Sequence, residues 1–307
     1  GGSIALLAVL MLLVNQNVLQ QERSVLTCVI AAGISCSAIQ ALGTFGQLAV
    51  EWVEPMGSVV RALSLLSFDL KILQVECVLG SSPITNYAMR HLVPPIGLAV
   101  VVGMIALKKV LRDPRIDFWA VTVNTTGALM KVAYMSIVLS SILPLLCYTH
   151  PGGKRRSMFS SPSILCYEDD AHVGMVIISV ASLSLLALPF FALVAYLTAQ
   201  YPKWARSSSG NAARKLIMCR FVFFQFTPDG WFYAAVMLAR SLLLCLTPVV
   251  VGGSGPTQII LMSAMINVFL MVLFHYQPWR VRTANLVDGG LSVLLTLLLS
   301  CAAASGV

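Results

Sequence analysis

Charge is scarce in this chain. Twelve aspartates and glutamates and twenty lysines and arginines are spread over 307 residues, and charged residues make up only 10% of the total. A water-soluble domain carries roughly 25%, so that class is excluded. No apolar run carries paired acids, a histidine cluster or a nucleophile beside its base, so the chain does not read as an enzyme and no catalytic residue is assigned. The four histidines, His91, His150, His172 and His275, stand at no motif spacing from a cysteine or carboxylate. The eight cysteines include no CxxC pair, so no metal site and no cofactor is expected. Gly252, Gly253 and Gly255 are not followed by the lysine and hydroxyl residue of a phosphate loop. Also missing are an arginine at every third position, a T-V-G-Y-G filter and a ring-forming acidic stretch near the last helices.

What fills the chain is apolar sequence. Hydrophobic residues account for 58%, and the mean hydropathy is +0.87. The runs are continuous, unlike the alternating ~10-residue segments of a membrane β-barrel. Backbone groups in lipid must be bonded within their own segment, so helices of about 20 residues are expected. The fold class is therefore all-α, a polytopic transmembrane helical bundle occupying residues 1–307 as a single domain.

About eight spans are expected: 4–18, 24–50, 87–107, 118–148, 173–200, one starting at Trp231, one ending at Tyr276, and 288–304. Residue 1 is glycine, so the chain reads as a fragment of a longer one, with its first helix cut at the front. Residues 51–86 read as an outer loop with an interfacial or re-entrant helix, because Pro55 breaks the helix and 56–68 is too short to span. Pro94 and Pro95 are expected to kink the third span. Residues 149–172 form a second outer loop. Residues 201–230 form a cytoplasmic basic loop leading into an interfacial helix before the sixth span.

Orientation follows the positive-inside rule. The loops holding Arg23, the 108–115 cluster, the 203–220 cluster, and Arg280 with Arg282 carry twice the basic residues of those holding Arg61, Lys71, Arg90 and the K-R-R triplet at 154–156. The first set is placed in the cytoplasm. Net charge of +8 then reflects topology and not nucleic-acid binding. Arg214, Lys215 and Arg220, beside the aromatics from Phe221 to Tyr233, are placed to meet anionic lipids of the inner leaflet. Cys77, Cys147 and Cys166 fall on the outer side, where disulfides form. A Cys147–Cys166 bridge would be worth ~3 kcal/mol on the chain-entropy model; the alternative is two unpaired cysteines at the membrane edge.

Three ionisable residues stand in or against apolar spans: Lys131 near the middle of the fourth, Arg240 in the sixth, and Asp288 at the opening of the eighth. Such groups are costly in lipid and face protein or water. Arg240 and Asp288 are paired as buried or gating charges, with a snorkelling or purely packing role as the alternative. Trp279 and Arg280 are assigned as a latch at the inner interface.

Several pieces occur in a familiar order. They are L-K-I-L-Q-V-E-C-V-L-G followed by Y-A-M-R-H-L-V-P-P; Cys147 and Cys166 with P-G-G and E-D-D-A-H-V-G-M; F-F-Q-F-T-P-D-G-W-F-Y followed by L-A-R-S-L-L-L; Gln258; and P-W-R followed by N-L-V-D. Across roughly residues 68–300 the chain resembles the TRP-like, polycystin-related membrane domain of protist and fungal proteins. In that group the domain often follows ephrin-receptor-like cysteine-rich repeats. The resemblance implies a paired-cysteine outer loop and a cation channel or sensor that assembles as a homo-oligomer in the plasma membrane or an endomembrane. The competing reading is a non-conducting receptor or anchor that transmits a signal from an upstream ectodomain. A seven-helix receptor is disfavoured by the span count and by the lack of a D-R-Y-like motif.

Overall fold

The computed structural model describes residues 23–48, 57–58, 82–111, 117–150 and 155–304. The expected first span (4–18), most of the 51–86 loop and Cys77 lie outside them. Seven long helices run through the described residues: α1 (Arg23–Phe45), α2 (Pro83–Leu111), α3 (Phe118–Ile142), α4 (Asp170–Arg206), α7 (Tyr233–Val250), α8 (Gly255–Tyr276) and α9 (Arg282–Ala304). Two short helices, α5 (Gly210–Met218) and α6 (Arg220–Phe223), join α4 to α7. Six of the long helices are long and apolar enough to cross a membrane. The chain is a multi-pass membrane protein with a helical bundle. In α1 only the shorter stretch Ile30–Phe45 is counted as apolar.

The bundle has one main core, contributed by α1, α3, α4 and α7 to α9. α1 packs between α3 and α9. Its Gln40 donates through Nε2 to the Val132 carbonyl at 2.9 Å and to Ser136 Oγ at 3.2 Å, so this polar side chain is satisfied inside the bundle, as burial requires. α2 is peripheral. It packs on α3 and α4 and leaves Leu92, Ile96, Val100, Met104 and Leu107 exposed, at the three- and four-residue spacing of one helical face. It starts at Pro83, earlier than the expected 87, and runs unbroken through Pro94 and Pro95.

Asp117 caps α3 by accepting from the Ala120 N–H at 3.3 Å. At the other end Pro144 turns the chain into a 3₁₀ turn, Leu143–Leu145. The segment expected as an outer loop is more than a loop. Three short strands, β1 (Cys147–Thr149), β2 (Arg156–Met158) and β3 (Ser161–Leu165), form an antiparallel sheet in that order. The Cys147–Cys166 disulfide spans it. His172 sits beneath, fully buried. Its Nδ1 accepts from the Tyr167 N–H at 3.2 Å and its Nε2 donates to the Pro144 carbonyl at 2.9 Å. Histidine and disulfide together seat the sheet on the ends of α3 and α4. The strands are too short and their turns too polar to show a strand period in the sequence.

α4 has 37 residues, which is about 55 Å of helix against a hydrocarbon core of about 30 Å. It contains one π turn, Leu183–Ala187, where the Leu188 N–H reaches the Leu183 carbonyl. Pro189 follows directly; with no N–H it cannot make the next regular bond, and the looser turn absorbs the gap. The long C-terminal end of α4 gives α5 a surface to pack on. α5 also follows α3: Arg214 pairs with Asp117 at 3.6 Å, and Phe221 of α6 lies against Gly127, where an added Cβ would fall 2.6 Å from the ring. The segment expected as an interfacial helix is thus fitted to the sides of α3 and α4.

Candidate functional site

The site is built from two chain crossings at one end of the bundle. The first is a turn, T-P-D-G. The Gly230 N–H bonds back to the Thr227 carbonyl at 3.0 Å and to Thr227 Oγ1 at 3.1 Å. The second is the end of α8, where Gln277 takes a left-handed conformation (φ 41°) and its N–H caps the Leu273 carbonyl at 2.8 Å. The two segments pair like strands. The Thr227 N–H donates to the Pro278 carbonyl at 2.8 Å and the Arg280 N–H to the Gln225 carbonyl at 3.0 Å, on either side of the Phe226–Trp279 bridge. Only glycine fits at 230, because a Cβ there would lie 2.8 Å from Pro278 Cα.

That pairing drives Trp279 inward to 3% exposure. Its backbone and Asn285 exchange two hydrogen bonds, both 3.2 Å, which start α9. Its indole Nε1 donates to Asp288 Oδ2 at 2.9 Å. The Tyr233 hydroxyl donates to the same oxygen at 3.2 Å. The other carboxylate oxygen, Oδ1, faces Arg240 Nη1 at 3.5 Å, and Arg240 Nη2 donates to Ser292 Oγ at 3.2 Å. Asp288 is 6% exposed, so one buried acid is met by two residues of α7, Tyr233 and Arg240, and by Trp279 of the crossing. Asn285, Asp288 and Ser292 fall at the i, i+3, i+7 spacing that puts them on one helical face. Gly289, on the adjoining face, leaves room for the Phe274 ring of α8, whose Cζ would lie 2.8 Å from an added Cβ.

Lys131 of α3 reaches the same crossing from another side. Its Nζ donates to Gln225 Oε1 at 2.8 Å and stands 5.1 Å from the centre of the Phe226 ring. The lysine therefore has an amide oxygen and an aromatic face as partners. An aromatic cluster surrounds the group: Phe226 lies 4.9 Å from Trp279 and 5.5 Å from Tyr233.

The expected site residues thus fall into three places. Lys131, Arg240, Asp288, Trp279 and the backbone of Arg280 meet at this crossing. Cys147 and Cys166 are at the opposite end, joined as a disulfide. Arg214 and Lys215 are exposed on α5, the first paired with Asp117 and the second 5.6 Å from the Trp204 ring; Arg220 opens α6. One expectation needs correction: Asp288 does not open the last span. α9 begins at Arg282 and holds Asp288 in its second turn, because the N-terminal turn is set by Asn285 binding the Trp279 backbone. Sequence reading missed Gln225, Tyr233, Asn285 and Ser292. The Asn285–Asp288–Ser292 spacing was a usable signal for the last two of the α9 partners. Gln225 and Tyr233 join only through the crossing, which local patterns do not announce. No protein family, curated protein or solved structure matches the chain.

Proposed function

We propose that this is the membrane domain of a TRP-like cation channel or sensor, without enzymatic activity, that works as a homo-oligomer. The observation that carries the reading is the buried Asp288 with its Arg240, Trp279 and Tyr233 donors. Ionisable groups inside a membrane bundle are expensive and are kept where they serve an ion path, a gate or a switch. Here they tie α7, α9 and the end of α8 together, so that a change in the relative position of any two of these elements breaks a charged contact. That is the property a gate needs.

The test is ion flux through the full-length protein reconstituted in liposomes. The reading expects cation-selective flux, abolished by Asp288→Asn combined with Trp279→Phe while size-exclusion behaviour is retained. Folded protein that passes no ion under voltage, osmotic or ligand challenge overturns it. The second reading, a non-conducting receptor or anchor, is favoured by the outer sheet. A disulfide-stapled cap that exposes Phe159 and Tyr167 is the kind of surface an ectodomain could press on. Crosslinking of that cap to an upstream domain, with no flux, is its expected result.

A further inference from the structure

Two guanidinium groups share one aromatic ring beside the crossing. Arg220 Cζ stands 4.5 Å from the centre of the Phe224 ring, and Arg280 Cζ stands 5.3 Å from the same centre. They are brought together by the Arg280 N–H to Gln225 carbonyl bond, which holds the end of α8 against the chain that leaves α6. The ring gives each cation some attraction, but the two like charges repel. Among the described residues no carboxylate pairs with either of them. Arg220 Nη2 is buried and makes no hydrogen bond. Its burial, and after that the Arg280 charge, hold the Arg220 guanidinium below the ordinary arginine value, which fits a cation kept close to its like with no counter-ion. The neighbouring Lys131 does not answer this need, being a third cation already turned to Gln225.

The surroundings say what kind of anion would fit. Tyr201 lies 4.7 Å from Phe223 and stacks at 6.4 Å on Trp231, while Phe232 lies 4.9 Å from Tyr276. Rings gathered this way sit at the level of lipid headgroups. A guanidinium matches phosphate by its planar fork, so two of them offer paired donors to one phosphate group. We propose that Arg220 and Arg280, oriented by Phe224, form a phosphate-binding site. The shared chemistry is a phosphate mono- or diester, carried by an anionic lipid or by a soluble phosphate. The site goes beyond the channel reading and does not rest on it: it stands or falls on binding alone, whatever the domain conducts.

The probe is the full chain purified in detergent and presented with three ligands: a phosphatidylinositol phosphate in mixed micelles, the corresponding soluble inositol phosphate, and inorganic phosphate. Binding is read by native mass spectrometry and by the shift in melting temperature. The site predicts retention of the phosphate ligand and a loss of about fivefold for each of Arg220→Gln and Arg280→Gln, from the roughly 1 kcal/mol that each basic residue adds near an anionic surface. Arg206→Gln, at the exposed last residue of α4, leaves binding unchanged. Retention of the lipid alone assigns the site to a headgroup, and equal retention of the soluble forms assigns it to a free phosphate. Equal losses from all three arginine variants indicate diffuse attraction and overturn the proposal, as does wild-type protein that retains none of the three ligands. If Arg220→Gln fails to fold, Phe224→Leu keeps both charges and removes the ring that orients them; unchanged binding in that variant and in Arg280→Gln also overturns it.

Discussion

Replacing Asp288 by leucine would strip one acceptor from three donors at once. Trp279 Nε1, the Tyr233 hydroxyl and Arg240 all point at its carboxylate, at 2.9, 3.2 and 3.5 Å. Removing one member of a buried pair costs about 3–5 kcal/mol, because the charge left behind is uncompensated. The two orphaned neutral donors add about 1–3 kcal/mol each where water cannot reach them. Arg240→Met is expected to cost less than Asp288→Leu. It leaves Asp288 with two hydrogen bonds, and among the described residues the only other partner it abandons is Ser292. The double variant removes both charges, and its cost should fall below the sum of the singles by more than about 1 kcal/mol, since contacting groups are not additive. The assay is equilibrium unfolding of the purified protein in mixed micelles for all four members of the cycle. Singles of equal cost, or a double equal to their sum, would refute the claim that Asp288 is the hub. Exchanging the two residues, Arg240→Asp with Asp288→Arg, is a separate check: it should recover part of what either reversal alone destroys.

Other outcomes follow from the same geometry. Gly230→Ala sets a methyl group 2.8 Å from backbone, and overpacking of that kind costs about 1–3 kcal/mol; Gly290→Ala, with nothing within 4 Å, should melt as wild type, and thermal unfolding compares them. Reducing the Cys147–Cys166 bridge should lower stability by about 3 kcal/mol, visible as a lower melting temperature in reductant that the Cys147→Ser, Cys166→Ser double variant does not show. Lys131→Met leaves the Gln225 amide oxygen without its donor and should cost about 1–3 kcal/mol; Lys131→Met with Gln225→Leu should cost less than the two singles summed, measured by the same unfolding assay.

Much of the membrane bundle was legible because hydropathy is a property of single segments. Continuous apolar runs around Phe118, Val173 and Trp231 announce helices without any knowledge of their neighbours. Boundaries were less legible. α9 starts at Arg282 because the Asn285 side chain captures the Trp279 backbone, a contact that a hydropathy reading centred on the apolar run after Asp288 does not weigh. The outer sheet was hidden for a different reason: strands of three to five residues hold too few positions to show alternation, and a histidine and a disulfide hold them in place. Arg240 and Asp288 could be matched because lone charges in apolar sequence are conspicuous. The tryptophan, tyrosine and serine that complete the carboxylate's surroundings are ordinary residues for a membrane edge, and only the three-dimensional crossing gives them that role.

The π turn in α4 adds a constraint on how the two ends of the molecule are set against each other. One continuous helix carries Asp170 beside the stapled outer sheet and Tyr201 among the rings near the crossing. A single residue gained or lost in a helix turns everything beyond it by about 100° and moves it about 1.5 Å. The five residues Leu183–Ala187 therefore act as the coupling in a drive shaft. They set the angle at which the inner rings meet their partners once the outer end has been clamped. Deleting one of them would leave each end intact and put the two out of phase.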